Sequence, residues 1–303
     1  MFSDFLKPRF SHTGIAVGER SVSVARTESD RDSVRVRNHA EVALPVGVVS
    51  NEFSIGSSDF DVIADSMRDC AERAGLADKK SWSLALPHGS AKMATFTLDT
   101  EPKSQSELRE ILEWKASTAF GMDVNNLRLA SERISDDVDG KVRQLVTAVS
   151  KDVLAQYEDI FSNLGWSVGL VLPRSLAESS LLAGFERGDS LLLSFSGEGF
   201  NGIVLRGDDP LVVRNVTCSA EESADELYRL MLFYSDRFGS GDTSLARLLA
   251  TGAEFDLDSL AEVCTEALGY RLEVLDGGHV SMPADLVHSD SALTAIGVSS
   301  VVS

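Results

Sequence analysis

Two distant stretches of this chain repeat one pattern, and the repeat limits what the chain can fold into. The first is Gly14-Ile-Ala-Val-Gly18-Glu-Arg-Ser-Val-Ser-Val-Ala-Arg26, followed by Ser33-Val-Arg-Val-Arg-Asn-His39. The second is Leu191-Leu-Leu-Ser-Phe-Ser-Gly197-Glu-Gly-Phe-Asn-Gly-Ile-Val-Leu205, followed by Leu211-Val-Val-Arg-Asn-Val216. Each reads as strand, glycine turn, strand and third strand, and each ends in a Val-Arg-Asn step. Such a duplication predicts a two-lobed fold built to hold a phosphate between its lobes. Whether a phosphate is still held depends on the residues of the two turns.

Between the repeats, strand and helix signals alternate. Asp59 to Ala74 is an amphipathic helix with Phe60, Ile63, Met67, Cys70 and Ala74 on one face and Gly75 as its stop. Trp82–Leu86 and Met93–Leu98 are strands. Ser104 opens a helix to Phe120, with Glu107 completing a capping box. Leu127–Ile134 and Lys141–Val149 form a hairpin around Asp-Asp-Val-Asp-Gly140, a solvated turn that lacks the spaced ligands of a calcium loop. Helices are expected at 152–164, 175–185, 219–238, 257–268 and 291–302, and strands at 167–172, 245–251 and 272–275. This order predicts a duplicated α/β fold.

A length of 303 residues suits two lobes around a sizeable core. The formal net charge of -19 repels nucleic-acid phosphates and anionic lipid, which argues against binding either directly. The same charge serves solubility and suits a basic partner segment. Cys70, Cys218 and Cys264 have no zinc or dithiol spacing, so reduced thiols in a cytoplasmic protein are expected, and the five scattered histidines form no local metal site. Apolar runs such as Val168–Leu172 are too short to span a bilayer, and Met1–Phe10 has no apolar core of a signal peptide. That segment is expected to pack as an arm on its own domain or on a partner. No Gly-x-Ser-x-Gly elbow is present, so serine hydrolase chemistry has no support.

The order of elements resembles the actin-like (ribonuclease H-like) fold, and within it the PilM family of type IV pilus assembly proteins, relatives of the cell-division protein FtsA. The likeness rests on several segments in order. Glu107–Phe120 with Val124-Asn-Asn-Leu127 is similar to the opening of the family's inserted small subdomain. Val146–Val153 with Leu164-Gly-Trp166 matches its next strand, helix and strand. Glu226–Gly239 is similar to the long helix of the second lobe, Leu248–Ala253 and Leu268–Asp276 to the adenosine-side elements, and Ala292–Gly297 to the closing helix. The resemblance implies a first lobe at 11–99 and 168–188, an inserted subdomain at 100–167, and a second lobe at 189–303.

Family members hold ATP and magnesium on the two turns, each usually beginning with Asp. Here the first turn, Asp-Ile-Gly-Ser-Ser-Ser-Val-Lys in its common form, reads Ala16-Val-Gly-Glu-Arg-Ser-Val-Ser23. Ala16 replaces the acid, Ser23 the lysine, and Glu19 stands where a small neutral residue faces phosphate. In the second turn Ser194 or Ser196 occupies the acid's place, and Glu198 adds a carboxylate. The third, glycine-rich loop keeps only Gly252, with Glu254 and Phe255 adding bulk. A carboxylate about 4 Å from a phosphate oxygen costs on the order of a few kcal/mol at intermediate dielectric. What remains for a nucleotide is Gly18, Arg20, Ser21, Gly197 and Gly252, and Arg20 offers some affinity if it turns inward.

The resemblance therefore implies a degenerate, non-hydrolysing scaffold without a cofactor, cytoplasmic and peripheral to the inner membrane. It would capture the tail of a PilN-like membrane protein between the first lobe and the inserted subdomain, against helix 104–120 and strand 93–98. Contact with the assembly ATPase is also implied, and a homo-oligomer is open. Trp114, Phe120 and Met122 are the candidate apolar anchors, although Trp114 equally suits partial burial under the next hairpin. The alternatives are an active actin-like ATPase with ATP and magnesium, and the cytoplasmic domain of a GspL-like type II secretion protein. The latter would carry a membrane helix after the domain, which the chain to Ser303 does not show.

Overall fold

The computed structural model describes residues 10–30, 33–53, 59–137, 139–183, 185, 187–239, 244–252, 255–276 and 291–301. The expectations for the Met1–Phe10 arm (apart from Phe10), for Glu254 and for two of the histidines, His279 and His288, lie outside these residues. In chain order the elements begin β1 (Thr13–Val17), β2 (Ser21–Asp30), β3 (Ser33–Ala43), α1 (Phe60–Arg73), β4 (Ser81–Leu86) and β5 (Ala91–Thr97). They continue with α2 (Gln105–Phe120), β6 (Leu127–Ile134), β7 (Arg143–Ser150), α3 (Lys151–Asn163), β8 (Ser167–Pro173) and α4 (Arg174–Ser179). The second repeat supplies β9 (Asp189–Ser196), β10 (Gly199–Arg206) and β11 (Asp209–Thr217), then α5 (Ser223–Phe238), β12 (Leu245–Thr251), α6 (Leu257–Leu268), β13 (Glu273–Leu275) and α7 (Ala292–Ser300).

The duplication extends to topology. One five-stranded sheet has the order β3-β2-β1-β4-β8 and another the order β11-β10-β9-β12-β13. In each, an antiparallel three-strand meander is extended by two parallel strands. A third sheet, β5-β7-β6, is antiparallel throughout. The shared Val-Arg-Asn step does equivalent work in both repeats. Asn38 Nδ2 donates to the Ala74 carbonyl at 2.9 Å, tying β3 to the end of α1, and Asn215 Nδ2 donates to the Met93 carbonyl at 2.6 Å, tying β11 to β5.

The chain divides into two compact units, Met1–Ser90 with Val153–Leu181 and Gly277–Ser303, and Ala91–Asp152 with Leu182–Asp276. In the first unit α7 lies on β1, β2 and α4. Its approach is close because glycines face it: a Cβ on Gly14 would sit 2.5 Å from the Ala295 carbonyl oxygen, and one on Gly297 would sit 2.2 Å from that of Ala177. The expected division had assigned this last helix to the second lobe. Its small, apolar residues instead complete the first sheet's core, a choice local sequence does not encode.

The strand over Met93–Leu98 differs from expectation in the same way. It was assigned to the first lobe, but β5 pairs with β7 in the three-stranded sheet, Met93 opposite Thr147. That sheet leans on β11 through the Asn215 bond, the Arg143 guanidinium donating to the Leu211 carbonyl, and the Ser135 hydroxyl on Asp209. Helix α5 begins at Ser223, four residues later than expected, and just before it Glu222 Oε2 accepts from both the N–H and the hydroxyl of Ser219 at 3.0 Å. The hairpin turn closes on itself, with Asp137 Oδ1 accepting from the Asp139 and Lys141 N–H groups.

In the second unit Asp189, fully buried, accepts two bonds from Arg206 at 2.9 and 2.8 Å and one from the Tyr234 hydroxyl at 2.7 Å. Two thiols are sealed into cores, one in each unit: burial pushes Cys70 and Cys264 up to about 12. In an unfolded chain they ionise near 9. The neutral thiols' contribution is therefore complete below that pH and drains as pH climbs toward their folded values. Urea denaturation should show stability falling above pH 9 by about 1.4 kcal/mol per pH unit for each thiol. Cys70→Ala with Cys264→Ala should flatten the slope, and an unchanged slope would assign it to other groups.

Candidate functional site

The first turn runs from Gly18 to Ser21 and is closed by the Gly18 N–H donating to the Ser21 carbonyl at 2.8 Å. Glu19 is half-buried at its tip and Arg20 is exposed. At the preceding strand end Ala16 is buried and pairs across to Ser23. Ser23 is fully buried. Its hydroxyl lies 2.6 Å from that of Ser291, which also meets the Ser21 hydroxyl at 2.7 Å and donates to Glu41 at 3.4 Å. Ser291 stands at the N-cap of α7 without capping it, because its hydroxyl is used on β2. The three hydroxyls of Ser21, Ser23 and Ser291 form a buried cluster that joins β2 to the start of α7.

The second turn is tighter. Ser196 pairs with Gly199, which leaves only Gly197 and Glu198 in the loop. Of their two N–H groups, that of Glu198 already donates to Ser196 Oγ at 3.3 Å, and both residues are exposed. The sequence left Ser194 and Ser196 as alternatives for the acid's place, and the register separates their environments. Ser196 belongs to the turn. Ser194 is fully buried one pleat earlier, opposite Asn201 and Thr251, and its hydroxyl has no hydrogen-bond partner among the described residues.

Gly252 has a structural reason to be glycine. Its φ is +98°, and a Cβ there would lie 2.2 Å from the Phe195 carbonyl oxygen. Phe255 stacks on Phe195 with ring centroids 5.3 Å apart, so its bulk is taken up by the second unit's own core. Cys218 follows β11, its N–H donating to the Glu198 carbonyl of the second turn at 3.1 Å, and burial together with Glu222 and Glu226 pushes its thiol up, which keeps it protonated and a poor nucleophile. Among the described residues no group of three or more His, Cys, Asp or Glu is placed to hold a metal ion, and no helix is long and apolar enough to cross a membrane.

The three candidate anchors have different environments. Helix α2 forms as its sequence predicts: Ser104 Oγ accepts from the Glu107 N–H at 3.1 Å, Glu107 reaches back to the Lys103 N–H, and Gly121 ends the helix in the left-handed region. Its inner face buries Leu112, Ala116 and Phe120. Phe120 therefore serves the subdomain's own packing, 6.4 Å from the Phe96 ring. Met122 is half-buried and its carbonyl accepts from Ser117. Trp114 is 68% exposed, an orientation that helical phase alone left undecided.

Sequence reasoning missed a groove beside this helix. Because α2 lies over β5 and β7, a hollow of about 660 Å³ opens between α2 and edge strand β6. The available signal was β6's alternation of Leu127, Leu129 and Ser131 with Arg128 and Ala130.

No protein-family model matches the sequence, and no curated protein is similar to it. Solved structures are. One described as the PilM–PilN type IV pilus biogenesis complex superposes with a TM-score of 0.75 at 18% identity, covering 96% of this chain and 98% of that one. Weaker likenesses are to a Bacteroides thetaiotaomicron protein of actin-like ATPase fold (TM-score 0.48, 9% identity, 94% of this chain and 97% of that one) and to the cytoplasmic domain of EpsL, an inner-membrane component of the Vibrio cholerae type II secretion system (0.47, 14%, 86% and 96%). With its two sheets of identical strand order and an inserted three-stranded sheet, the chain has the actin-like fold.

Proposed function

We propose that this protein is a PilM-like scaffold of a type IV pilus or secretion assembly, capturing the cytoplasmic tail of a PilN-like inner-membrane protein without a nucleotide cycle. The observation that carries the reading is the likeness to a PilM–PilN complex over almost the whole chain. A 68% exposed tryptophan on α2 supports it, since large exposed aromatics are frequent hot spots of protein interfaces. On this reading the protein is cytoplasmic and reaches the inner membrane only through its partner.

The turns support the second half of the proposal. ATP hydrolysis on an actin-like frame needs carboxylates to orient magnesium and water, and backbone N–H groups turned to the phosphates. Ala16 and Ser194 or Ser196 offer no carboxylate at the strand ends, a hydroxyl cluster occupies the lysine's place, and Glu19 and Glu198 add negative charge to the turns. These residues do not fit a magnesium nucleotide. Gly18, Arg20, Ser21, Gly197 and Gly252 are remnants of a cradle rather than a site.

Calorimetric titration with the cytoplasmic peptide of a PilN-like protein from the same genome tests both halves. Saturable binding is expected, unchanged by millimolar ATP and magnesium. Trp114→Ala should weaken it by at least about 2 kcal/mol, roughly thirtyfold, with no change in circular dichroism. Binding that requires ATP, or is indifferent to Trp114, would overturn the corresponding half.

A further inference from the structure

The groove between α2 and β6 has properties of its own. Strand β6 is an edge: among the described residues it pairs only with β7, so alternate backbone N–H and C=O groups along it face outward. Among the described residues no hydrogen bond outside the β7 ladder uses the backbone of residues 128–133. Beside the strand, half-buried Leu108 and Leu129 expose apolar surface above the buried Leu112, Leu127 and Val146. It continues past Gln105, Leu108 and Ser131 into a second hollow of about 550 Å³ that reaches Arg133. Together they follow β6 from Leu127 to Arg133. At about 3.3 Å per residue that is roughly 23 Å, room for an extended segment of six or seven residues.

The groove's charge is opposite to the protein's. The chain carries 47 acidic against 28 basic residues. The two hollows, however, are lined by Lys103, Arg109, Arg128, Arg133 and Lys151 against only Glu101 and Glu113. Arg109 is paired with Glu113, and Arg133 with Glu101 and Asp136. Lys151 donates to the Asn125 carbonyl, whereas Arg128 is exposed on the edge strand and has no ion pair among the described residues. A cationic groove on an acidic protein attracts an acidic occupant.

We propose that β6 and α2 form a strand-addition site for an acidic, extended polypeptide segment, separate from capture of the membrane tail. The segment adds to β6 through main-chain hydrogen bonds, its alternate apolar side chains enter the groove against Leu108 and Leu129, and its carboxylates meet Arg128 and Lys151. Such a site would let the scaffold hold a second component alongside the first.

The test uses the full chain and four fluorescein-labelled heptapeptides: alternating Val and Glu, alternating Val and Lys, and two Val–Glu peptides N-methylated on the alternate amides of one edge or of the other. Anisotropy should show saturable binding of the Val–Glu peptide, at least about tenfold weaker binding of the lysine peptide, and a similar loss on methylating the edge that faces β6. R128E with K151E, both at the surface of the groove, should lose the Val–Glu peptide about tenfold or more while leaving the PilN-like tail's affinity unchanged. Equal binding of the lysine peptide, indifference to methylation on both edges, or no binding of any peptide up to millimolar concentration would overturn the proposal. A tail that loses affinity with R128E and K151E would make the two sites one.

Discussion

Arg174→Leu is expected to destabilise the first unit by about 3–5 kcal/mol, because it strips the cation from a carboxylate that stays buried. Arg174 Nε donates to Glu178 Oε1 at 2.8 Å, and the two side chains are 4% and 0% exposed. The Thr294 hydroxyl donates to the same oxygen at 2.5 Å, so the pair also joins α4 to α7. Desolvating a lone carboxylate costs more than its hydrogen bonds return. The double variant with Glu178→Leu should recover much of the loss, since a buried ion pair replaced whole by apolar groups is often near neutral. Equilibrium urea unfolding of the single and double variants measures both. A single-variant loss below about 1 kcal/mol would mean that the carboxylate does not depend on Arg174. The consequence for the first turn is direct, because α7 carries Ser291, whose hydroxyl joins Ser21 and Ser23.

Gly252→Ala should cost about 2–4 kcal/mol, the sum of a left-handed backbone forced on alanine and an overlap in a packed site. The clash is with backbone, the Phe195 carbonyl oxygen at 2.2 Å, so no side chain can swing aside to relieve it. Thermal unfolding without nucleotide reads the effect. If Gly252 were kept only for a ligand, its substitution would leave the free protein's melting temperature unchanged. The glycine therefore argues for the fold of the second unit, where β12 leaves the sheet across β9, and not for a phosphate.

Much of the architecture was legible in the sequence. The two meanders, the capping box at Ser104 and Glu107, the glycine stop at Gly75 and the hairpin at Asp137–Gly140 all arise from contacts within a few residues. Periodicity and turn chemistry encode such contacts directly. The candidate site was less legible. The residue types at Ala16 and Ser23 could be read because they are a matter of identity. The environment of those positions could not, since Ser23 meets Ser291 across most of the chain. Phe120 and Trp114 lie on one helix with similar hydrophobic character, yet one is buried and the other exposed. Only the position of β5 and β7 beneath α2 decides between them.

By itself, then, the sequence determined that the chain is a duplicated α/β protein and which residues occupy its two glycine turns. Tertiary structure decided which sheet β5 joins, which core α7 completes, and that β6 is left as an open edge beside a cationic groove. The physical reason is that strand edges and apolar helix faces are chemically alike. Local sequence specifies that such a surface exists, and only the competition among distant surfaces settles which of them is covered.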